Sequence, residues 1–425
     1  MAFVIVTCML FAGIMMAVPV SAGKAGLSST TQLNAPNPIY NEQFGWAVAT
    51  DGIHLVVGAP NADVTVGETT YQYEGLAYIY DALDLSITPV TLTNPIHEAW
   101  ASFGWSVAIS GGYVVVGAIS QTVSGITAGE VYLFDTNGNL LASIPDPDPN
   151  SYDNFGMSVA ISGNYIVIGE PNANIASTSY VGQAFVYSIG ATNEITLLAE
   201  LNSPSGISYG QFGYSVAFNN GIIIVSEPGA NNVIGSDTFV EAGNVYLYRA
   251  ASLTLADSQP FMTFTSPNAQ EGGSFGWSIG TYGKSIIIGA PGEDVSVKGV
   301  TDPYHSAGRA YVFTLTGRLA KTLVSPNVAS VAGFGSAVAI GSKYMVVSAP
   351  YETVGSTQYV GQAYAYTTSG RLVSSLNSTS PKDNLQFGWN HVATGGNFIV
   401  VGSPYEDVNV EGSIQFQAGS AWVYR

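Results

Sequence analysis

The chain has a single cysteine, Cys8, among its 425 residues. It lies in an apolar N-terminal run, so from Gly23 onward no disulfide, thiolate metal site or cysteine nucleophile is available. A large core needs no such staples, and their absence does not argue against export. Charge is also scarce, at 9% of residues. Only 11 residues are Lys or Arg, thinly spread, which leaves no basic patch for nucleic acid or an anionic membrane surface. The net charge of −18 serves solubility instead. The four histidines, His54, His97, His305 and His391, share no common offset. No G-x-S-x-G elbow, H-E-x-x-H pair or phosphate loop occurs, so neither an enzyme nor a cofactor is expected.

Forty-nine glycines and 20 prolines punctuate many short apolar runs, the composition of a turn-rich β protein. Residues 1–22 differ in kind. Ala2 to Val18 is mostly apolar, and Val20-Ser21-Ala22 suits a signal-peptidase site before Gly23. The expectation is a cleaved signal peptide, an extracellular or cell-surface protein, and one domain over 23–425. The leader lacks the usual basic start, so an uncleaved hydrophobic anchor is the alternative, and then the one link to a membrane.

The organising stretch is Phe103 to Ala118, F-G-W-S-V-A-I-S-G-G-Y-V-V-V-G-A. It reads as two strands about a Ser110-Gly111-Gly112 turn. Alternation places Phe103, Trp105 and Val107 on one face and Gly104, Ser106 and Ala108 on the other. A sheet with one thin face can lie close against the thick face of a copy of itself.

Copies are present. Phe-Gly recurs at Phe44, Phe103, Phe155, Phe212, Phe275, Phe334 and Phe387, at spacings of 52 to 63 residues. A bulky residue follows in six copies: Trp46, Trp105, Met157, Tyr214, Trp277 and Trp389, with Ser336 in the other. Each second strand ends near Gly-Ala-Pro, as in Gly58-Ala59-Pro60 and Gly289-Ala290-Pro291. A third strand opens on glycine, as in Gly75 to Tyr80, and a fourth ends on a signal such as Ser203-Pro204 or Ser325-Pro326. Four antiparallel strands per copy at a long period predict an all-β, seven-bladed β-propeller. The seventh copy stops after three strands at Arg425. Thr30 to Pro36 resembles a fourth-strand ending, so the N-terminal strand is expected to close the last blade and remove two open edges.

The Phe-Gly and Gly-Ala-Pro framing resembles FG-GAP repeats, the units of the seven-bladed head of integrin α subunits. The resemblance implies an adhesion or recognition module and, in many relatives, a calcium loop between first and second strands. Turns such as Thr50-Asp51-Gly52 and Ser162-Gly163-Asn164 lack the oxygen donors for that loop, so no metal is expected there. The weak metal candidates are Asp146, Asp148 and Asn150, alternating donors near Asp153 in a Pro-rich connector. The recurrent aspartates Asp63, Asp294 and Asp407 of P-x-x-D-V are expected to cap their own loop backbone.

In the family's topology, the second-to-third and fourth-to-first connections share the ligand face. The candidates there are Tyr71, Tyr73, Phe239, Tyr304 and Phe416, aromatics that suit an extracellular protein or carbohydrate. Packing beneath the loops is the competing reading for them. The expected function is non-catalytic adhesion or recognition. The alternative is a self-associating structural subunit of an extracellular sheath, surface layer or filament.

Overall fold

The structure, a computed structural model, describes residues 27, 29–255, 258–389 and 391–425. The leader therefore lies outside the described residues. The described chain forms seven four-stranded antiparallel sheets, six of them meanders of consecutive blade strands and the last completed by the N-terminal strand. Blade 2 comprises Phe103–Ser110, Tyr113–Ala118, Glu130–Asp135 and Leu140–Pro145. The first strands pack on one another in cyclic order, blade 7 against blade 1 included, so the sheets form a closed ring with first strands innermost.

Closure is made as the sequence predicts. Thr30–Leu33 pairs with Ser420–Tyr424, Thr30 opposite Tyr424 and Leu33 opposite Ala421. Ser29 and Arg425 exchange both backbone hydrogen bonds. The strand that would otherwise be an open edge on the last blade is thereby covered.

The Phe-Gly pair is a joint between blades. In six of seven copies it precedes the first strand, and in blade 2 a register shift between Phe103 and Ser106 interrupts the ladder. Simple alternation through Phe103, Gly104 and Trp105 therefore does not hold, because the backbone turns there. Every one of these phenylalanines is fully buried. Each donates its N–H to the preceding blade, as Phe103 does to Glu74 O at 2.8 Å and Phe212 to Val181 O at 2.9 Å. Each ring in blades 1 to 6 packs on an aromatic of its own third strand, such as Phe275 on Tyr311.

The thin face is real, and glycine makes it. A Cβ on Gly58 would lie 2.0 Å from Gly104 O of the next blade, and one on Gly169 1.9 Å from Gly213 O. Gly213 itself has φ +89°, and a Cβ there would meet Gln183 O at 2.1 Å. Both limits exclude a side chain. The apolar core therefore lies between blades: Val115, Leu133 and Ile144 of blade 2 pack with Phe155, Ile166 and Phe185 of blade 3. Burying a Phe or Ile in this way is worth about 1.5–3 kcal/mol.

Candidate functional site: an aromatic cavity on the propeller axis

The connections into each first strand share one backbone form. The residues three and one before Phe are left-handed, as at Trp100 (φ 71°) and Ser102 (57°), or Tyr209 (61°) and Gln211 (57°). Trp100 donates its N–H to Gln72 O at 2.8 Å, which ties this connection to the neighbouring second-to-third loop. The two sets of loops therefore do share one face. After this double turn, the residue following Phe-Gly enters the ring of first strands and lines its axis.

The axial cavity has a volume of about 320 Å³ and is walled by Trp46, Trp105, Met157, Tyr214, Trp277 and Trp389. Trp46 and Trp105 pack with centroids 4.7 Å apart, as do Tyr214 and Trp277. Ser336 stands in the seventh position. A second cavity of about 290 Å³ adjoins it there, shares Tyr214, Trp277, Ser336 and Trp389, and opens between Pro291, Val331 and Tyr351 of the loop face. The small side chain of Ser336 thus connects the axis to the loops. Such size and lining suit a ring-shaped, mainly apolar group held by a few polar contacts.

The cavity's electrostatics are quiet. His391 donates from Nδ1 to Trp46 O at 2.9 Å, which joins blade 7 to blade 1. Burial pushes its imidazole below the usual histidine range, so it is neutral near pH 7. Burial likewise pushes the Tyr214 hydroxyl up. Trp46 is 9% exposed and its indole Nε1 has no partner among the described residues, a polar handle in an otherwise aromatic wall. The other three histidines are far apart and pair with acids: His54 with Asp51, His97 with Glu74, His305 with Asp294.

The five aromatics singled out in the sequence all fall on the loops of this face. Phe416 stands out at 56% exposed. Tyr71, Tyr73, Phe239 and Tyr304 are half-buried. Tyr71 stacks on His97 with centroids 5.4 Å apart, and Tyr73 on Trp100 at 4.3 Å. More open than any of them are Tyr40, Trp100, Tyr152 and Tyr209, between 61% and 68% exposed on the fourth-to-first connections. Trp100, Tyr152 and Tyr209 occupy the left-handed position three before Phe, where a bulky residue is an outlier held by its surroundings. Counting back from each Phe-Gly finds these residues in the sequence, and counting forward finds the axial ring.

The loop aspartates behave as expected. Asp63 accepts from Tyr73 N at 2.9 Å, Asp294 from Ser306 N at 2.9 Å and Asp407 from Gln417 N at 3.0 Å. Of the metal candidates, Asp148 and Asn150 are exposed and Asp146 is buried. The Asp146 carboxylate is brought beside those of Asp153 and Glu170, while Asp148 and Asn150 contribute backbone N–H groups to it and to Asp153.

Among the described residues, no helix is long and apolar enough to cross a membrane. No curated protein gives a significant match to the chain. Residues 91–134 and 139–187 match the FG-GAP repeat, each span running from the outer strand of one blade into the next. The same joint recurs at all seven Phe-Gly pairs, and the chain is a seven-bladed β-propeller of which two stretches match the FG-GAP repeat.

Proposed function

We propose that this propeller is a non-catalytic recognition module, exported to the cell surface or beyond, that binds an extracellular glycan or protein through its loop face. The FG-GAP propeller fold suggests a recognition or adhesion module. The observation that carries the ligand assignment is the axial cavity, walled by four tryptophans, a tyrosine and a methionine and open toward the loops beside Ser336. Tryptophan faces stack on the C–H faces of sugar rings and on aromatic side chains, so the cavity takes a ring while Trp100, Tyr152 and Tyr209 contact the rest of the ligand. Of the carboxylate-bound histidines, His97 ties two loops together while His54 and His305 brace their own, and all three are assigned a structural role. The leader over 1–22 and the single domain over 23–425 belong to the same proposal.

The test is binding of the labelled full chain to an oligosaccharide array and to immobilised peptides bearing Trp or Tyr. Trp277→Ala and Ser336→Trp are the control variants. Ser336→Trp fills the lobe between the two cavities and is expected to weaken binding about tenfold or more with little change in melting temperature. Binding that survives both substitutions removes the cavity from the reading, and no binding to either probe set overturns it.

A second reading is favoured by one feature. The ribbons in the second-to-third connections expose apolar residues, Val233 at 71% and Ile414 at 52% among them. Apolar tips on one face suit packing against further copies, as in a structural subunit. Light scattering across a concentration series separates the two, since a stable monomer removes this alternative.

A further inference from the structure

The junction between blades 2 and 3 differs from those after it in the charge it encloses. In blades 4 to 7 a buried glutamate sits beneath the loop face, at Glu227, Glu293, Glu352 and Glu406. Each is met by a hydroxyl from the end of the preceding blade's fourth strand and by a ring donor from its own third strand. Glu352 accepts from Ser325 at 3.1 Å and from Tyr364 at 2.6 Å. Glu406 accepts from Ser378 at 2.8 Å and from Trp422 Nε1 at 2.7 Å. Such an acid is satisfied by its neighbours' donors, and Glu293 has the Arg309 guanidinium at 3.2 Å in addition.

At Glu170 of blade 3, each of those donors is missing. The serine is replaced by Asp146 and the third-strand tyrosine by Phe185, which has no hydroxyl. A second acid, Asp153, stands two residues before Phe155, where blade 4 has Gly210. Asp146, Asp153 and Glu170 are 3%, 1% and 2% exposed. One carboxylate oxygen from each lies within 4.8 Å of the others. Asp146 Oδ2, Asp153 Oδ1 and Glu170 Oε1 are all buried without a hydrogen-bond partner among the described residues. The opposite oxygens are fixed by backbone, Asp146 Oδ1 by the N–H of Asp148 at 2.9 Å and Asp153 Oδ2 by that of Asn150 at 3.1 Å. Two of the three carboxylates are thus held in place, and three oxygens are left over.

We propose that Asp146, Asp153 and Glu170 form a binding site for one calcium ion, which clamps the connection carrying Tyr152 between blades 2 and 3. Three buried carboxylates without a donor repel one another unless a cation or protons intervene. An all-carboxylate donor set selects a hard divalent cation, and calcium, which takes carboxylates mono- or bidentate in flexible geometry and completes its shell with backbone oxygens and water, suits it over magnesium. The site is built from a fourth-to-first connection and the end of a second strand. It therefore lies at the opposite end of the blade from the first-to-second turns.

The experiment uses the full chain, stripped with EDTA and titrated with calcium by calorimetry and by thermal melting. One equivalent is expected to bind and to raise the melting temperature. The decisive variant is Asp146→Ser with Phe185→Tyr, which gives blade 3 the counterparts of the Ser203 and Tyr246 donors of blade 4. It is expected to melt no lower than the stripped wild type and to lose the calcium response. Asp153→Gly, the residue found in blade 4, is the second variant and is expected to weaken calcium binding at least about tenfold. A wild-type chain whose melting ignores calcium, or variants that bind it as tightly as wild type, would overturn the assignment.

Discussion

Two junctions of this molecule share length and backbone and differ in chemistry. From Asp146 to Phe155 and from Ser203 to Phe212 the connections have the same number of residues, with Tyr152 and Tyr209 left-handed at the same place. Behind the second, Glu227 accepts from the hydroxyls of Ser203 and Ser205 and, at 2.7 Å, from Tyr246. Behind the first, Glu170 faces two further acids, and Phe185 stands at the position of Tyr246. At Gly210 the space is taken by Glu227 itself, since a Cβ there would lie 2.6 Å from Glu227 Oε1, whereas blade 3 places the Asp153 side chain at this position. The fold thus fixes a polar pocket at each junction while leaving its contents to a few side chains. One filling closes the pocket with neutral hydrogen bonds, and the other leaves it asking for a cation.

The largest way to test what the junctions share is at the Phe-Gly glycines. Gly213→Ala is expected to cost about 3 kcal/mol or more, since it combines a left-handed φ with a clash against Gln183 O. Gly156→Ala should cost less. Its added Cβ meets the movable Val131 Cγ2 at 2.7 Å, with the nearest backbone atom at 3.5 Å. Equal losses in chemical denaturation would show that backbone conformation alone matters at these joints.

Next comes a contrast of sign. Glu227→Gln puts an amide among hydroxyl donors and is expected to destabilise by about 1–2 kcal/mol. Glu170→Gln, measured in EDTA, is expected to stabilise, because it removes one of three crowded acids. Denaturation of both variants with and without calcium checks the pair, and a loss at both would erase the distinction between the junctions.

The smallest effect concerns Glu42, which occupies at blade 1 the place of Asp153 at blade 3. Its Oε1 is buried without a partner, and burial pushes its carboxyl up to about 8 from 4.5. A raised folded value means that its contribution is fully present below pH 4.5 and is lost as pH rises through about 8. Glu42→Gln should therefore flatten the decline in melting temperature between pH 5 and 8. An unchanged slope would place the titration elsewhere.

Much of the fold was legible because its determinants are short-range and repeated. Phe-Gly, Gly-Ala-Pro and the glycine before each third strand recur where the backbone admits nothing larger. The closing strand was legible because Thr30 to Pro36 carries the ending of a fourth strand. The site was read less completely. Alternation placed Trp105 beside Phe103, whereas the turn at Gly104 sends the tryptophan to the axis, so the aromatic ring was visible as a column of residues but not as a cavity. Among the acids, Asp146 was noted with its sequence neighbours Asp148 and Asn150 and with Asp153 nearby, but not with Glu170. Its spatial neighbours are Asp153 and Glu170, and Glu170 lies on another strand.

What the sequence by itself determined is the unit, its number and its closure, since each follows from local turns, strand alternation and edges that must be covered. What only the tertiary structure decided is which copies' side chains meet. Seven blades set around an axis turn equivalent positions into one aromatic wall, and each junction joins the end of one blade to the start of the next. Contacts across those joins depend on where the ring places the blades, and no pattern along the chain encodes them.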